Sequence, residues 1–421
     1  MFSKAIYFRF LSIMVMITTF LPVVSNNLPP IIGSFHLWMP LFTISLISFY
    51  PSVFFQKRIF YTIILAISFL FIFPYIFWPA LTEWNFSSLK FEFYYIVAAI
   101  LVLVYFISAK DYEGLSFVTK TTLIFIVITS ILSIYSSIVD PMYARSITGG
   151  KLSEEQLLYF EKIGGGGYGF ATALVGLIPV IVFKIKSKKD KINKWILYLV
   201  IILIFITLIR MQFFANILIS LFVIVFSFSG QSRSKVSIII SLVIILIALA
   251  VPAESYAQLL RSLSHYFNTS SEVHYKLNDM ADFLIIGDIS EDETESGYRA
   301  YRYITLYQGF IDSPVFGIAH DPKIFYDDSG AHLFWMNKLS VLGIFGFLFI
   351  VVAIFSNLKS QYRFFKEDRI RFFYILSIFG ILGLGIMKNI AGREPWFMIF
   401  FVIPGLLFEH TLTFKTLGEK Y

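Results

Sequence analysis

Long apolar runs constrain this chain more than any other feature of its sequence. A membrane-spanning helix needs about 20 consecutive, mostly apolar residues, and the 421-residue chain carries such runs along most of its length. Its composition agrees, because 57% of the residues are hydrophobic and 14% are charged, whereas soluble domains average about 25% charged residues. The sequence therefore predicts an all-α integral membrane protein and excludes a soluble globular domain.

We interpret twelve of the apolar runs as membrane-spanning helices. They lie near residues 4–24, 35–53, 59–82, 92–109, 116–139, 168–187, 194–209, 212–229, 236–252, 332–356, 371–390 and 395–413. The first run lacks a small-residue cleavage site, so we expect a retained span and not a removed signal peptide.

This interpretation divides the chain into three parts. Residues 1–252 hold nine spans and an outer loop near 140–167, residues 253–331 form a large extracytoplasmic loop with short helices, and residues 332–421 hold three more spans.

The distribution of Lys and Arg predicts the orientation in the membrane. With the N-terminus inside, the inner segments hold most of these residues, including the cluster from Lys184 to Lys194. The short outer loops hold only Lys90, Arg210, Lys388 and Arg393. Because cytoplasmic loops carry an excess of Lys and Arg, both termini are predicted in the cytoplasm. The net charge of +7 then follows from topology and does not indicate a nucleic-acid partner.

Several features of the sequence do not indicate a catalytic, metal or cofactor site. The absence of Cys excludes disulfides, a thiolate nucleophile and a Cys-based metal site. The acidic stretch at 291–295 lacks EF-hand spacing, so a solvated surface is favoured over a divalent-metal site. Gly164, Gly166 and Gly169 match a dinucleotide loop by letter, but such a loop needs a preceding strand. This glycine run leads instead into a predicted span, and we expect a flexible hinge.

The segment SGYRAYRYITLYQGFIDSP in the large outer loop holds the strongest candidate residues. If it is helical, Arg299 and Arg302 project from one face, and Tyr303 lies beside Arg299 at i+4. Asp312-Ser313-Pro314 is expected to end the helix. Paired arginines suit a diphosphate, because Arg binds phosphate oxygens with two donors. Solvated arginines or headgroup anchors are an equally weighted alternative.

Two further residues are candidates because of their position at the outer boundary. Arg210 falls in the tight link TLIRMQFFAN between two spans, where a charge is costly and usually has a role; snorkelling to the interface is the alternative. His332 opens the span HLFWMNKLSVLGIFG, and a neutral imidazole there can accept a proton from a hydroxyl. Taken alone, His332 is better explained as an interfacial residue without chemistry.

Together these residues resemble the signature of the O-antigen polymerase and O-antigen ligase superfamily. That family shows an Arg, an aromatic residue four positions on, a Pro-x-x-Gly turn, a His at the next span and a glycine pair within it. The matching residues here are Arg299, Tyr303, Pro314-Val-Phe-Gly317, His332 and Gly343-Ile-Phe-Gly346, and Thr207-Leu-Ile-Arg210 is similar to the family's turn between two spans. The chain departs from the family at Leu333, where Asn or Ser is common, and at Tyr303, where Trp is usual.

The resemblance implies a GT-C-like glycosyltransferase in the bacterial cytoplasmic (inner) membrane. The donor and the acceptor would be glycans on undecaprenyl diphosphate, with membrane lipid and a chain-length regulator protein as further partners. The implied catalytic residues are Arg210, Arg299 and His332. The implied substrate-binding residues are Arg302, Tyr303 and Gly317, and no metal or cofactor is required.

The resemblance leaves the acceptor open. A lipid-linked repeat unit would make the protein a polymerase of O-antigen or capsule, which we favour, and a lipid A core sugar would make it a ligase. A lipid-linked oligosaccharide flippase or other transporter is the alternative of another class, and an assembly scaffold without catalysis is a third. Transporters usually show internal repeats and broken helices, and the sequence shows no repeat.

Overall fold

The structure, a computed structural model, describes residues 3–83, 87–140, 143, 153–187, 191–211, 213–229, 253–266, 272–286, 295–321 and 333–408. Every regular element within these ranges is a helix. Within the described residues, the prediction of an all-α polytopic membrane protein is confirmed.

The described helices fall largely on the predicted apolar runs. In chain order the main helices are α1 (Lys4–Phe20), α2 (Phe35–Phe49), α3 (Lys57–Ile67), α4 (Ser87–Ser108), α5 (Tyr112–Val139), α6 (Glu154–Ile163), α7 (Tyr168–Ser187), α8 (Lys191–Arg210), α9 (Phe214–Ser229), α10 (Ala253–Ser264), α11 (Glu272–Ile286), α12 (Glu295–Asp312), α13 (Phe334–Phe364), α14 (Asp368–Met387) and α15 (Arg393–Phe397). Short helices also lie at Pro22–Ser25, Phe73–Phe77 and Ala80–Glu83. Helices α3 and α15 continue through π-helical turns at Ser68–Ile72 and Met398–Val402.

Seven helical stretches in the described part of the chain are long and apolar enough to cross a membrane. They are Ile59–Phe77, Lys90–Ser108, Tyr112–Val139, Glu154–Ser187, Asn193–Arg210, Phe334–Phe364 and Asp368–Met387. Phe35–Phe49 and Phe214–Phe228 are shorter apolar helices. The predicted ninth run, 236–252, lies outside the described residues, so the number twelve and the GT-C-like architecture stay predictions.

The chain divides into two compact units. The first unit comprises Met1–Ser227 and Leu348–Tyr421, and the second comprises Phe228–Phe347. The second unit thus contains the predicted large loop together with residues on either side of it, including the first part of α13.

Helix α7 is central to the first unit, where 89% of its 18-residue apolar segment is buried. Small residues let it pack closely against its neighbours. Gly176 faces Ile381 of α14 so closely that a Cβ at Gly176 would overlap the Ile381 side chain. Small residues at such contacts are how membrane helices gain packing energy, because lipid gives no hydrophobic drive for helices to associate.

The second unit is built on the antiparallel pair α10 and α11. Arg261 of α10 forms an ion pair with Asp282 of α11 at 2.7 Å, and both side chains are about half exposed. The buried Ser264 hydroxyl lies 3.0 Å from Asn278 Oδ1. Helix α12 packs against α11 and leads into the turn that contacts α13.

Candidate active site

Helix α12 carries the two predicted arginines. It runs Glu295–Asp312, which confirms both the predicted helix and its end before Ser313-Pro314. Arg299 and Arg302 share a stripe with Leu306 and Gly309 by helical register. Leu306 and Gly309 are buried and Arg302 is half-buried, so the stripe from Arg302 to Gly309 faces the interior of the second unit. The side chain of Arg299 lies outside the described residues.

Tyr303 also lies half-buried on α12. Burial raises the pKa of its phenol above the ordinary value, because desolvation disfavours the phenolate. The neutral phenol is therefore the form present at physiological pH, and it can donate one hydrogen bond and accept others. This suits a substrate-binding role and excludes service as a general base near neutral pH.

The turn after α12 and the middle of α13 lie in direct contact. Gly317 and Gly343 have positive φ values of 73° and 63°, a region that glycine enters without a Cβ penalty. A Cβ on Gly317 would overlap the backbone of Val341 and Gly343, and a Cβ on Gly343 would overlap the backbone of Val315 and Gly317. We call this contact the glycine clasp.

Backbone hydrogen bonds hold the clasp together. The N–H of Ile344 donates to the Pro314 carbonyl at 2.9 Å, and the N–H of Phe345 donates to the Val315 carbonyl at 3.0 Å. Helix α13 breaks at Gly343, whose φ and ψ of 63° and −175° are not helical. The two motif elements Pro-x-x-Gly and Gly-x-x-Gly, separate in sequence, thus form one structural feature. The sequence predicted both elements but not their contact.

Two polar side chains lie on the elements that form the clasp. His320 Nδ1 lies 2.8 Å from the Gly317 carbonyl oxygen and 3.1 Å from Ser313 Oγ. Because a carbonyl only accepts, the proton of a neutral His320 resides on Nδ1. Lys338 is 8% exposed, and its Nζ lies 5.4 Å from the centroid of the Phe334 ring. Sequence reasoning missed Lys338, which lies within an apolar run six residues after His332, and His332 itself lies outside the described residues.

Arg210 occupies the predicted turn in the first unit. Helix α8 ends at Arg210 and α9 begins at Phe214, which confirms the tight link. Its guanidinium reaches the end of α5, where it donates to the Ser137 carbonyl at 2.9 Å and to Ser137 Oγ at 3.3 Å. Ser137 is fully buried and Arg210 is exposed. The guanidinium is therefore held by hydrogen bonds to Ser137 and is still accessible from outside. Snorkelling alone would not require these hydrogen bonds.

A second cation, Lys388, lies beside the same turn. Its Nζ is 4.5 Å from the ring centroid of Phe213 and 5.4 Å from that of Tyr168, and the two rings stack at 4.5 Å. Nζ also donates to Asn216 Oδ1 at 2.9 Å. The Nδ2 group of buried Asn216 has no acceptor among the described residues, so it can donate to a bound anion. The sequence marked Lys388 only as one of four basic residues in short outer loops.

The glycine run between α6 and α7 is a packed connection and not the flexible hinge that the sequence suggested. Gly164 ends α6 in the left-handed conformation. The N–H of Gly166 donates to Ser133 Oγ at 2.8 Å, and its carbonyl accepts from the Tyr143 hydroxyl at 3.2 Å. Gly169 lies against the Glu394 carboxylate, which a Cβ there would overlap. These glycines allow close approach of α5 and α15 at the start of α7.

The predicted site residues fall in both units. Arg210 belongs to the first unit, whereas Arg299, Arg302, Tyr303 and Gly317 belong to the second. Their convergence in one site stays a prediction. Of the acidic stretch at 291–295, residues 291–294 lie outside the described residues and Glu295 is the first residue of α12.

The described part of the chain is thus an all-helical membrane protein with two adjacent cations, Arg210 and Lys388, in its first unit and a glycine clasp in its second. No protein-family profile matches the chain, and no curated protein matches it.

Proposed function

We propose that this protein is a metal-independent glycosyltransferase that polymerises a bacterial surface polysaccharide, O-antigen or capsule. It transfers glycan from undecaprenyl diphosphate to a lipid-linked repeat unit on the outer face of the cytoplasmic membrane. Both termini are cytoplasmic in this proposal, which places Arg210 and α12 on the outer side.

The observation that carries the proposal is the glycine clasp at the end of the arginine-bearing helix. Pro314–Gly317 and Gly343–Gly346 were matched to the polymerase and ligase superfamily as separate pieces of sequence. Their backbone contact accounts for both pieces together, because it joins the end of α12 to α13, the helix that follows position 332. The clasp thereby fixes the end of α12 against the middle of α13.

The proposed reaction is a displacement at the anomeric carbon of the donor glycan. The acceptor hydroxyl oxygen forms the new bond to that carbon, and the bond from the carbon to the diphosphate oxygen breaks. The electron pair of the broken bond leaves with undecaprenyl diphosphate. His332 accepts the proton of the hydroxyl as a general base.

Arginine charge supplies the main stabilisation in this scheme. Negative charge develops on the leaving diphosphate, and preorganised cations aimed at it lower the barrier. Arg210 and Arg299 have this role, with Arg302 in support, because a guanidinium binds phosphate oxygens with two parallel donors. The exposed Arg210 head, anchored on Ser137, meets this requirement for a cation that is both fixed and accessible.

The test is a transfer assay with the purified full-length protein. The protein is incubated without added metal with the lipid-linked repeat unit of its source organism, and the products are resolved on a gel. A ladder of increasing glycan length supports the polymerase. Transfer only after lipid A core is added would replace polymerase with ligase, and no transfer from an intact donor to either acceptor would overturn the glycosyltransferase proposal.

A further inference from the structure

Two cations lie together where α7 ends and α14 begins, in the first unit. Lys186 is the penultimate residue of α7, and Arg369 is the second residue of α14. The two helices pack along each other, and the positive charge of Arg369 acts on Lys186. Arg369 lies in the first turn of the 20-residue helix α14 and Lys388 directly follows its last residue, so these two residues are about 28 Å apart along the helix and the pair of Lys186 and Arg369 is not part of the proposed active site.

Aromatic rings hold both cations. The guanidinium carbon of Arg369 lies 5.5 Å from the centroid of the Phe183 ring, and Lys186 Nζ lies 5.8 Å from the centroid of the Phe373 ring. The two ring centroids are 5.4 Å apart. Lys186 is fixed further by a 2.9 Å hydrogen bond to the Ser227 carbonyl. Each cation therefore lies over one ring of a contacting aromatic pair, and each ring belongs to the other cation's helix.

Arg369 has a hydrogen-bond donor without an acceptor among the described residues, whereas the guanidinium of nearby Arg371 is hydrogen-bonded. Its buried Nε has no acceptor among the residues that the structure describes. The adjacent carboxylate, Asp368, is turned to Arg371 at 3.1 Å, and Arg371 also donates to the Phe365 carbonyl at 2.6 Å. Buried donors are normally satisfied, and no described residue supplies an acceptor for this one, so Arg369 can offer it to a ligand.

The surroundings favour a lipid over a free anion. Beginning six residues after Arg369, α14 exposes Ile375, Phe379 and Ile386 on one face, where they are 52%, 53% and 58% exposed. Exposed apolar side chains on a membrane-spanning helix face acyl chains. Because Arg369 begins a helix whose exposed face contacts acyl chains, an anionic phospholipid is the ligand that we favour.

We propose that Lys186 and Arg369 form a binding site for the phosphate of an anionic membrane phospholipid, on the side predicted to be cytoplasmic. Basic pockets between membrane helices on that side bind such headgroups. Arg369 supplies planar donors to the phosphate oxygens, and Lys186 adds a point charge. The site is independent of the proposed transfer reaction, and its ligand is a structural lipid.

The test uses native mass spectrometry of the full-length protein in neutral detergent, titrated with phosphatidylglycerol or phosphatidylcholine. We expect phosphatidylglycerol to bind more tightly than phosphatidylcholine. Arg369→Ala and Lys186→Gln should each weaken phosphatidylglycerol binding about fivefold, the factor expected for one basic residue near an anionic lipid surface. Arg363→Ala is the matched control, because Arg363 is an exposed arginine at the same end of the chain's helices, and it should leave the binding unchanged.

Three results would overturn the proposal. One is equal binding of the two lipids by the wild-type protein. Another is an equal loss for Arg363→Ala and Arg369→Ala, which would indicate diffuse charge and no defined site. The third is displacement of phosphatidylglycerol by millimolar inorganic phosphate, which would indicate a site for free anions. If Arg369→Ala fails to fold, the loss of phosphatidylglycerol binding in Lys186→Gln and the preference of the wild-type protein between the two lipids still test the proposal.

Discussion

Gly317 and Gly343 occupy each other's Cβ space, so that neither position accepts a side chain while the other keeps its backbone in place. Both have positive φ, and two backbone hydrogen bonds lie beside them. This reciprocal contact joins the arginine-bearing helix α12 to the broken helix α13. The proposed site in the second unit depends on it.

Alanine at either glycine should therefore damage the protein. We expect Gly317→Ala and Gly343→Ala each to destabilise it by about 1–3 kcal/mol, since overpacking alone costs that much and the positive φ adds strain. Thermal unfolding of the purified variants measures this. Gly383→Ala on α14 is the control, because a Cβ there meets only one atom, at 4.0 Å. A Gly317→Ala protein as stable and active as wild type would contradict the role of the clasp.

Substitutions at Arg210 and at its partner Ser137 should lower the transfer rate to different extents. Arg210→Ala should lower the rate of transfer by about 100-fold or more, the loss seen when one transition-state donor is removed. Ser137→Ala removes only the 3.3 Å side-chain bond and keeps the 2.9 Å carbonyl contact, so its rate should fall less than tenfold. Initial rates with saturating donor measure both. Equal rates for Arg210→Ala and wild type would remove Arg210 from the mechanism.

Lys388 is expected to help bind the lipid-linked donor. Lys388→Met keeps a side chain of similar length against the Phe213 and Tyr168 rings but removes the charge. The KM for the donor should rise several-fold while kcat changes little, because the ammonium group contributes binding and is not placed on the reacting atoms. The control is Lys162→Met, at an exposed lysine of α6. An unchanged KM together with a lower melting temperature would assign Lys388 a structural role only.

The raised pKa of Tyr303 leads to a prediction about the pH dependence of transfer. Its folded-state pKa is raised by burial, so the neutral phenol is favoured in the fold and its contribution to stability is complete below the unfolded pKa of about 10. That contribution is lost as the pH rises through the folded-state pKa. Tyr303→Phe should therefore leave the pH profile of transfer between pH 6 and 9 unchanged in shape. A pH midpoint in that range that disappears in Tyr303→Phe would contradict this assignment.

Local patterns in the sequence predicted much of the fold. Apolar runs predicted the membrane helices, and the tight link at Arg210 and the end of α12 at Asp312 followed from charge placement and a Ser-Pro stop. Contacts between distant residues were not predictable. Asn216 and Lys388 are 172 positions apart, and no local pattern connects them. The break of α13 at Gly343 lies inside an apolar run, where a glycine alone does not separate a kink from close packing.

The same limit explains the glycine run at 164–169. Four consecutive glycines favour a flexible link when only the sequence is known. Their packing against Ser133, Tyr143 and Glu394 depends on partners from α5 to α15, which only the folded chain brings together.

The break in α13 also bears on the transporter alternative. Discontinuous helices are typical of transporters, and α13 is discontinuous at Gly343. Here, however, the freed backbone donors of Ile344 and Phe345 are used by Pro314 and Val315 of the adjoining turn. The break is thus accounted for by a contact within the second unit and does not require an ion or substrate.

Release of undecaprenyl diphosphate from the lipid-linked donor tests the central claim most directly. The purified protein is compared with Arg299→Ala, Arg302→Ala and His332→Ala, and with Arg261→Ala as a control at an exposed arginine of the second unit. We predict acceptor-dependent release by the wild type and by Arg261→Ala, almost none by Arg299→Ala and His332→Ala, and reduced release by Arg302→Ala. Wild-type rates in the folded Arg299→Ala, Arg302→Ala and His332→Ala proteins, or no release by the wild type with an intact donor and acceptor, would contradict the account.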